Sequence, residues 1–229
     1  MQNVVIKGIH NDYRSNEAYK TLRTNIEFSG EGNKAIVLTS STPEEGKSTV
    51  SLGLAVALAE GNKKVLFIDA DLRKSVLVGR HRVAQEIKGL SHFLSGQASL
   101  NEVICSTQEE GLHIIFAGIV PPNPSELLSQ EKFAHLIENA KKEYDYIIID
   151  APPLGSVIDA AVIAKVCDAS VLVIAANAIS HKFVRTVKEQ LEKTGCPILG
   201  VVLNKVDMKK NKYYGKYYGK YYGNYGTKS

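Results

Sequence analysis

The ten residues SSTPEEGKST (Ser40–Thr49) set a glycine, a lysine and several hydroxyls directly before the apolar segment STVSLGLAVALAEG. The phosphate-loop pattern G-x-x-x-x-G-K-[ST] fits Ser41–Ser48, with Ser41 in place of the first glycine. Backbone N–H groups of such a loop and the positive end of the following helix form a concave anion site. Ser41, Thr42, Glu44, Glu45, Gly46, Lys47, Ser48 and Thr49 are therefore the candidate phosphate-binding residues. In that frame Gly46 admits close backbone approach, Lys47 places a point charge between two phosphates, and the Ser48 hydroxyl can ligate Mg²⁺.

Two further segments add carboxylates. VLFIDADLRKS ends a strand-like run with Asp69 and Asp71, and YIIIDAPP ends another with Asp150. A lone aspartate at a strand end is usually a turn former or a helix cap. Three beside a phosphate loop fit Mg²⁺ and phosphoryl transfer better. Mg²⁺ keeps several waters, so one hydroxyl and one or two carboxylates suffice to hold it. The remaining carboxylate can accept a proton from an attacking hydroxyl.

These groups need a scaffold that brings strand ends together. Short runs rich in Val and Ile recur at 35–40, 64–69, 112–117, 146–150, 170–176 and 198–204. They are continuous rather than alternating, as expected of strands buried on both faces. Helical stretches at 47–60, 124–142, 157–166 and 181–194 separate them, and Ser15 is placed to cap a helix carrying EAYKTLRTNIEF. The expectation is an α/β fold, a mostly parallel sheet with helices on both faces and its ligand at the carboxyl ends of the strands.

Charge divides the chain. Residues 208–229 hold six of the 28 basic residues and no acid, so residues 1–207 carry 22 basic and 24 acidic side chains, a net of −2. A body so nearly neutral is not that of a nucleic-acid binder. The stretch KYYGKYYGKYYGNYG (Lys212–Gly226) is a period-four repeat with glycines that oppose a stable helix. It predicts a flexible tail, 208–229, after a globular domain, 1–207. No apolar run reaches the roughly 20 residues of a membrane span, and the first residues lack a signal-peptide core. A cytoplasmic location is expected.

The loop, FIDADLR (67–73), IIIDAPP (147–153), AGIVPPNPSELL (117–128) and the tyrosine cluster together resemble the bacterial tyrosine kinases of capsular and extracellular polysaccharide synthesis. The likeness is to the separate kinase subunit of Gram-positive bacteria. It implies a P-loop NTPase fold of the partition-ATPase type, with ATP and Mg²⁺ as cofactors. It also implies catalytic roles for Lys47, Asp69, Asp71 and Asp150, with Asp69 as base and Ser48, Asp71 and Asp150 around the metal. By the same resemblance Asn204, in NKVD, touches adenine, although a simple strand-end turn explains that motif equally well.

The family's helix signature E-x-x-R-x-x-R reads EAYKTLR here, so Glu17, Lys20 and Arg23 are implied to join subunits in a ring. Lys20 stands where an arginine is usual and cannot make the same bidentate fork. Glu44 stands where glycine is common, and an acid there must face solvent. The phosphoacceptors implied are Tyr213, Tyr214, Tyr217, Tyr218, Tyr221, Tyr222 and Tyr225. The resemblance further implies a membrane-anchored activator that recruits the protein to the inner face of the membrane, and a cognate tyrosine phosphatase.

Two rival functions remain on the residues alone. A partition-type ATPase switch would carry a signature lysine at position 42, where this chain has Thr42. An ATP-gated scaffold would use the aromatic tail as an adhesive without phosphorylating it.

Overall fold

The computed structural model describes residues 2–6, 13–80 and 87–207; the tyrosine cluster lies outside them. In chain order the elements are β1 (Gln2–Asn3), α1 (Tyr13–Phe28), β2 (Ala35–Ser40), α2 (Lys47–Glu60), β3 (Val65–Asp69), α3 (Leu77–Arg80), α4 (Leu90–Leu94) and α5 (Leu100–Val103). There follow β4 (Ile104–Ser106), β5 (Leu112–Ile115), α6 (Pro124–Leu128), α7 (Glu131–Glu143), β6 (Tyr146–Asp150), α8 (Asp159–Ala164), β7 (Ala169–Ala175), α9 (His181–Glu192) and β8 (Ile198–Asn204).

The strands form one sheet in the order β1-β4-β5-β3-β6-β2-β7-β8. Every pairing is parallel except β4 with β5. All six expected strands are present within a residue or two. The short β1 and β4 were not expected, because three residues or fewer leave no hydrophobic period to read. Alternate residues of the central strands feed two cores. Ile36, Leu38, Phe67, Ile148 and Val171 pack under α1 and α2, whereas Val37, Ile68, Ile149 and Leu172 pack under α7, α8 and α9.

Helix α2 is apolar around its whole circumference, which suits a helix enclosed between the sheet and a second helix. That second helix is α1. The Tyr19 ring lies so close to Gly53 that a Cβ there would sit 2.3 Å from Cζ. Three helix expectations change. Helix α1 begins at Tyr13, so Ser15 lies inside it rather than capping it. The stretch 124–142 is two helices, with Pro124 in the first turn of α6 and a break at Ser129–Gln130. Lastly, the left-handed residue that ends α2 is Asn62 (φ 61) rather than Gly61 (φ −84).

The topology positions the site. β6 lies between β3 and β2, and the register sets Asp69 opposite Asp150 and Leu38 opposite Asp150. Two carboxylates and the start of the phosphate loop thus meet at one end of three adjacent strands.

Candidate active site

Residues 41–46 connect β2 to α2, and α2 begins at Lys47 with no side-chain cap. Its dipole end is thereby left to anions. Gly46 has φ 86, and a Cβ there would meet Asn204 Nδ2 at 2.2 Å. Conformation and space both require glycine at this position.

The side chain of Glu45 turns into the protein. Its carboxylate is buried; Oε2 accepts from Ser41 N (2.7 Å) and Thr42 N (2.8 Å), and Oε1 accepts from Ala175 N (3.0 Å) at the end of β7. It braces the loop from inside. Asn204 Nδ2 donates to Glu45 O at 2.9 Å, which ties the end of β8 to the phosphate loop. Lys205 Nζ donates to Glu44 O at 2.6 Å, so the end of β8 grips the loop at two successive carbonyls. Glu44 is exposed and left-handed (φ 65), which accounts for the usual glycine at this position and keeps its charge toward solvent.

Lys47 is the hub. Its Nζ lies 2.7 Å from Asp150 Oδ1, 3.9 Å from Asp71 Oδ2 and 3.3 Å from Ser48 Oγ. Ser51, one turn along α2, sets its hydroxyl 3.1 Å from the same Asp150 oxygen. Asp69, Asp71, Asp150 and Lys47 are all buried. Two carboxylates thus face one ammonium, with the carboxylate of Asp69 buried beside them.

Asp69 shows the consequence. Burial first, then the charge of Asp150, raises its carboxyl to about 7, while the bond from Ser75 opposes the rise. Its Oδ1 accepts from Asp71 N (3.2 Å), and its Oδ2 accepts from the Ser75 hydroxyl. Asp71 Oδ1 accepts from Lys74 N at 3.0 Å. Arg73 forks onto Asp159 at 2.7 and 3.0 Å, pinning this loop to the first turn of α8.

Surplus negative charge beside an uncapped helix start suits a magnesium–phosphate group. The Ser48 hydroxyl, Asp71 and Asp150 would hold the cation through oxygen and water. Among the described residues no three His, Cys, Asp or Glu side chains form a protein-only metal cage.

The three residues implied to join subunits do not act alike. Lys20 and Glu17 pair at 2.8 Å on the exposed face of α1. Arg23 turns inward and donates to Ala57 O at 2.8 Å, joining α1 to the end of α2. Among the described residues, no helix is long and apolar enough to cross a membrane. Ser51, Ser75, Asp159 and Lys205 escaped the sequence reading. Only Ser51 left a usable signal, four residues and so one helical turn after Lys47.

A family profile described as AAA domain matches residues 33–195. Tyrosine-protein kinase CpsD of Streptococcus agalactiae is 46% identical over 194 residues, covering 85% of this chain and 85% of that protein. CpsD of Streptococcus pneumoniae serotype 4 is 46% identical over 200 residues, covering 87% of this chain and 88% of that protein. The chain belongs to the bacterial tyrosine-protein kinase family. The kinase domain of Escherichia coli tyrosine kinase ETK superposes with a TM-score of 0.80 at 39% identity, over 83% of this chain and 75% of that one. The septum site-determining protein MinD of Pyrococcus horikoshii, complexed with Mg-ADP, follows at a TM-score of 0.63 and 30% identity, over 74% of this chain and 69% of that one. The kinase family thus shares its P-loop fold with septum-site ATPases, as the sequence resemblance implied.

Proposed function

We propose that this kinase transfers the γ-phosphoryl group of ATP to the seven tyrosines of its own C-terminal cluster. The carrying observation is the buried Lys47–Asp150–Asp71 contact with Asp69 alongside, in a chain 46% identical to CpsD tyrosine-protein kinases. Lys47 leaves its carboxylates to hold the β- and γ-phosphates, while the uncapped start of α2 and the Gly46 turn bind the phosphate oxygens. Ser48, Asp71 and Asp150 orient the metal. Bound Mg²⁺ supplies neutralisation of charge on the transferring group. Asp69 takes the tyrosine hydroxyl proton as the new O–P bond forms and the bond to the ADP oxygen breaks.

Tail chemistry supports the same reading. Glycine every fourth residue presents equivalent acceptors without a fixed register. Each phosphotyrosine adds about −1.5 to −2 charges. Full modification therefore reverses the sign of a segment whose only charged side chains are six lysines. In this reading residues 1–207 are the kinase domain and 208–229 its substrate, delivered between subunits of a ring. The likeness to kinases of polysaccharide synthesis supports a regulatory role there, with a membrane-anchored activator as partner, recruitment to the inner face of the membrane, and a phosphatase that resets the tail.

Anti-phosphotyrosine blotting after incubation with Mg·ATP tests the reading. Wild type labels and Lys47→Met does not; an unlabelled wild type, supplied with its activator, refutes it. Thr42, where the partition ATPases carry their signature lysine, weighs against a pure ATPase switch.

A further inference from the structure

Both oxygens of Asp69 are occupied, and the two occupants differ in kind. Oδ1 accepts from the backbone N–H of Asp71, which the β3–α3 loop fixes in place. Oδ2 accepts from the hydroxyl of Ser75, which is exposed and needs only a side-chain rotation to leave. Any hydroxyl that gives its proton to Asp69 must first displace one of them. Ser75 is the one able to move.

From this geometry we infer that Ser75 is a placeholder for the acceptor. It is a positioning residue whose hydroxyl holds the proton-accepting oxygen of Asp69 until a tyrosine hydroxyl replaces it. The inference rests on the reading of Asp69 as the base that accepts the tyrosine proton.

Three features support an exchangeable contact rather than a fixed brace. Leu77, two residues on, is buried in the core under α2 and anchors the loop without help from Ser75. Its N–H reaches Ser75 Oγ only at 3.4 Å, so the hydroxyl is weakly held from that side. A displaced Ser75 hydroxyl meets water, because the residue is exposed. The exchange therefore costs one hydrogen bond and returns one. It keeps the buried carboxylate from standing with an unpaired oxygen between turnovers, which would otherwise be costly.

Removing the placeholder should therefore ease acceptor binding more than it alters the chemical step. The test uses the full chain with Mg·ATP and a peptide of three Lys-Tyr-Tyr-Gly repeats as acceptor. Ser75→Ala is expected to lower KM for the peptide about three- to tenfold, the scale of one net hydrogen bond, with kcat within about threefold of wild type. Ser75→Thr keeps the hydroxyl and restores the wild-type KM. A Ser75→Ala variant with lower kcat and unchanged KM would show a structural brace and overturn the inference. Phosphate found on Ser75 itself would overturn it too, because the residue would then be an acceptor. If wild type labels neither the peptide nor its tail, the kinase reading fails; if it labels both and KM does not move, only the placeholder fails.

Discussion

Aspartates stand at both ends of the central strands, in opposite circumstances. At the amino end Asp168, just before β7, accepts from Lys34 N (3.2 Å) and Ala35 N (2.8 Å) and pairs with Lys141 Nζ at 2.8 Å. Nearby Asp145 accepts from Lys64 N at 2.8 Å. Each carboxylate there accepts from backbone N–H groups at the amino ends of the interior strands β2 and β3. At the carboxyl end Asp71 and Asp150 share a single lysine in a buried site, and Asp69 is buried beside them with no lysine of its own among its hydrogen-bond partners in the described residues. The same residue type, placed by the same strands, is satisfied at one end and overcrowded at the other. Unrelieved charge, rather than the mere presence of aspartate, marks the working end of the molecule.

Removing Lys47 should have the largest effect. Lys47→Met should reduce tail phosphorylation by at least about 10²-fold, the scale for losing a principal group that stabilises transition-state charge. It should also lower the melting temperature more at pH 8 than at pH 6, because buried carboxylates left without a cation can take up protons at the lower pH. Scintillation counting and thermal melts at the two pH values check both halves. At the other end Asp168→Ala should cost about 1–2 kcal/mol by urea denaturation, since it strands the Ala35 N–H while Lys34 N keeps Gly32 O and Lys141 keeps Glu138, yet leave kcat within twofold.

Asp69→Asn sharpens the contrast through pH. A carboxyl raised to about 7 in the folded chain, against an unfolded value of 3.8, keeps its proton when folded over a range where the unfolded chain has lost it. Wild-type stability in EDTA should therefore fall as pH rises from about 4 to 7. Asp69→Asn lacks that loss, so it should be the more stable protein at pH 8, by on the order of 1–2 kcal/mol, with a smaller advantage at pH 5. A difference that does not change with pH would sink the assignment of strain to this carboxylate. The smallest effect belongs to α1. Glu17→Ala should change stability by less than about 0.5 kcal/mol, because its partner Lys20 is exposed. If α1 joins subunits, the variant should nevertheless sediment at lower mass, and unchanged sedimentation would mark the pair as an ordinary surface contact.

Much of this contrast could be read in the chain before folding. Buried parallel strands announce themselves as unbroken Val and Ile runs, and AIVLTS and YIIID each became a buried strand; ILGVVLN became a strand too, but at the sheet edge, where Val201 and Leu203 are exposed. The convergence of Asp69 and Asp150 followed from their places at strand ends, because a parallel sheet gathers its carboxyl termini on one side. The roles of Glu45 and Asn204 were not legible. Both are polar residues in binding motifs, and only the fold shows that the Glu45 carboxylate accepts from Ser41, Thr42 and Ala175 while the Asn204 amide donates to the Glu45 carbonyl. The inward contact of Arg23 was not legible either. Spacing of three along a helix cannot tell a guanidinium on the solvent face from one folded against the carbonyl of Ala57. Ser75 is six residues from Asp69 in an irregular loop, where no periodicity relates the two.

Peptide-mapping mass spectrometry tests the central claim most directly. The full chain is dephosphorylated, supplied with its activator and incubated with Mg·ATP beside Lys47→Met. Phosphate should appear on tyrosines among Tyr213, Tyr214, Tyr217, Tyr218, Tyr221, Tyr222 and Tyr225 of wild type and on none of them in the variant. Equal labelling of the two proteins, or no labelled tyrosine in the wild-type cluster, would contradict the account.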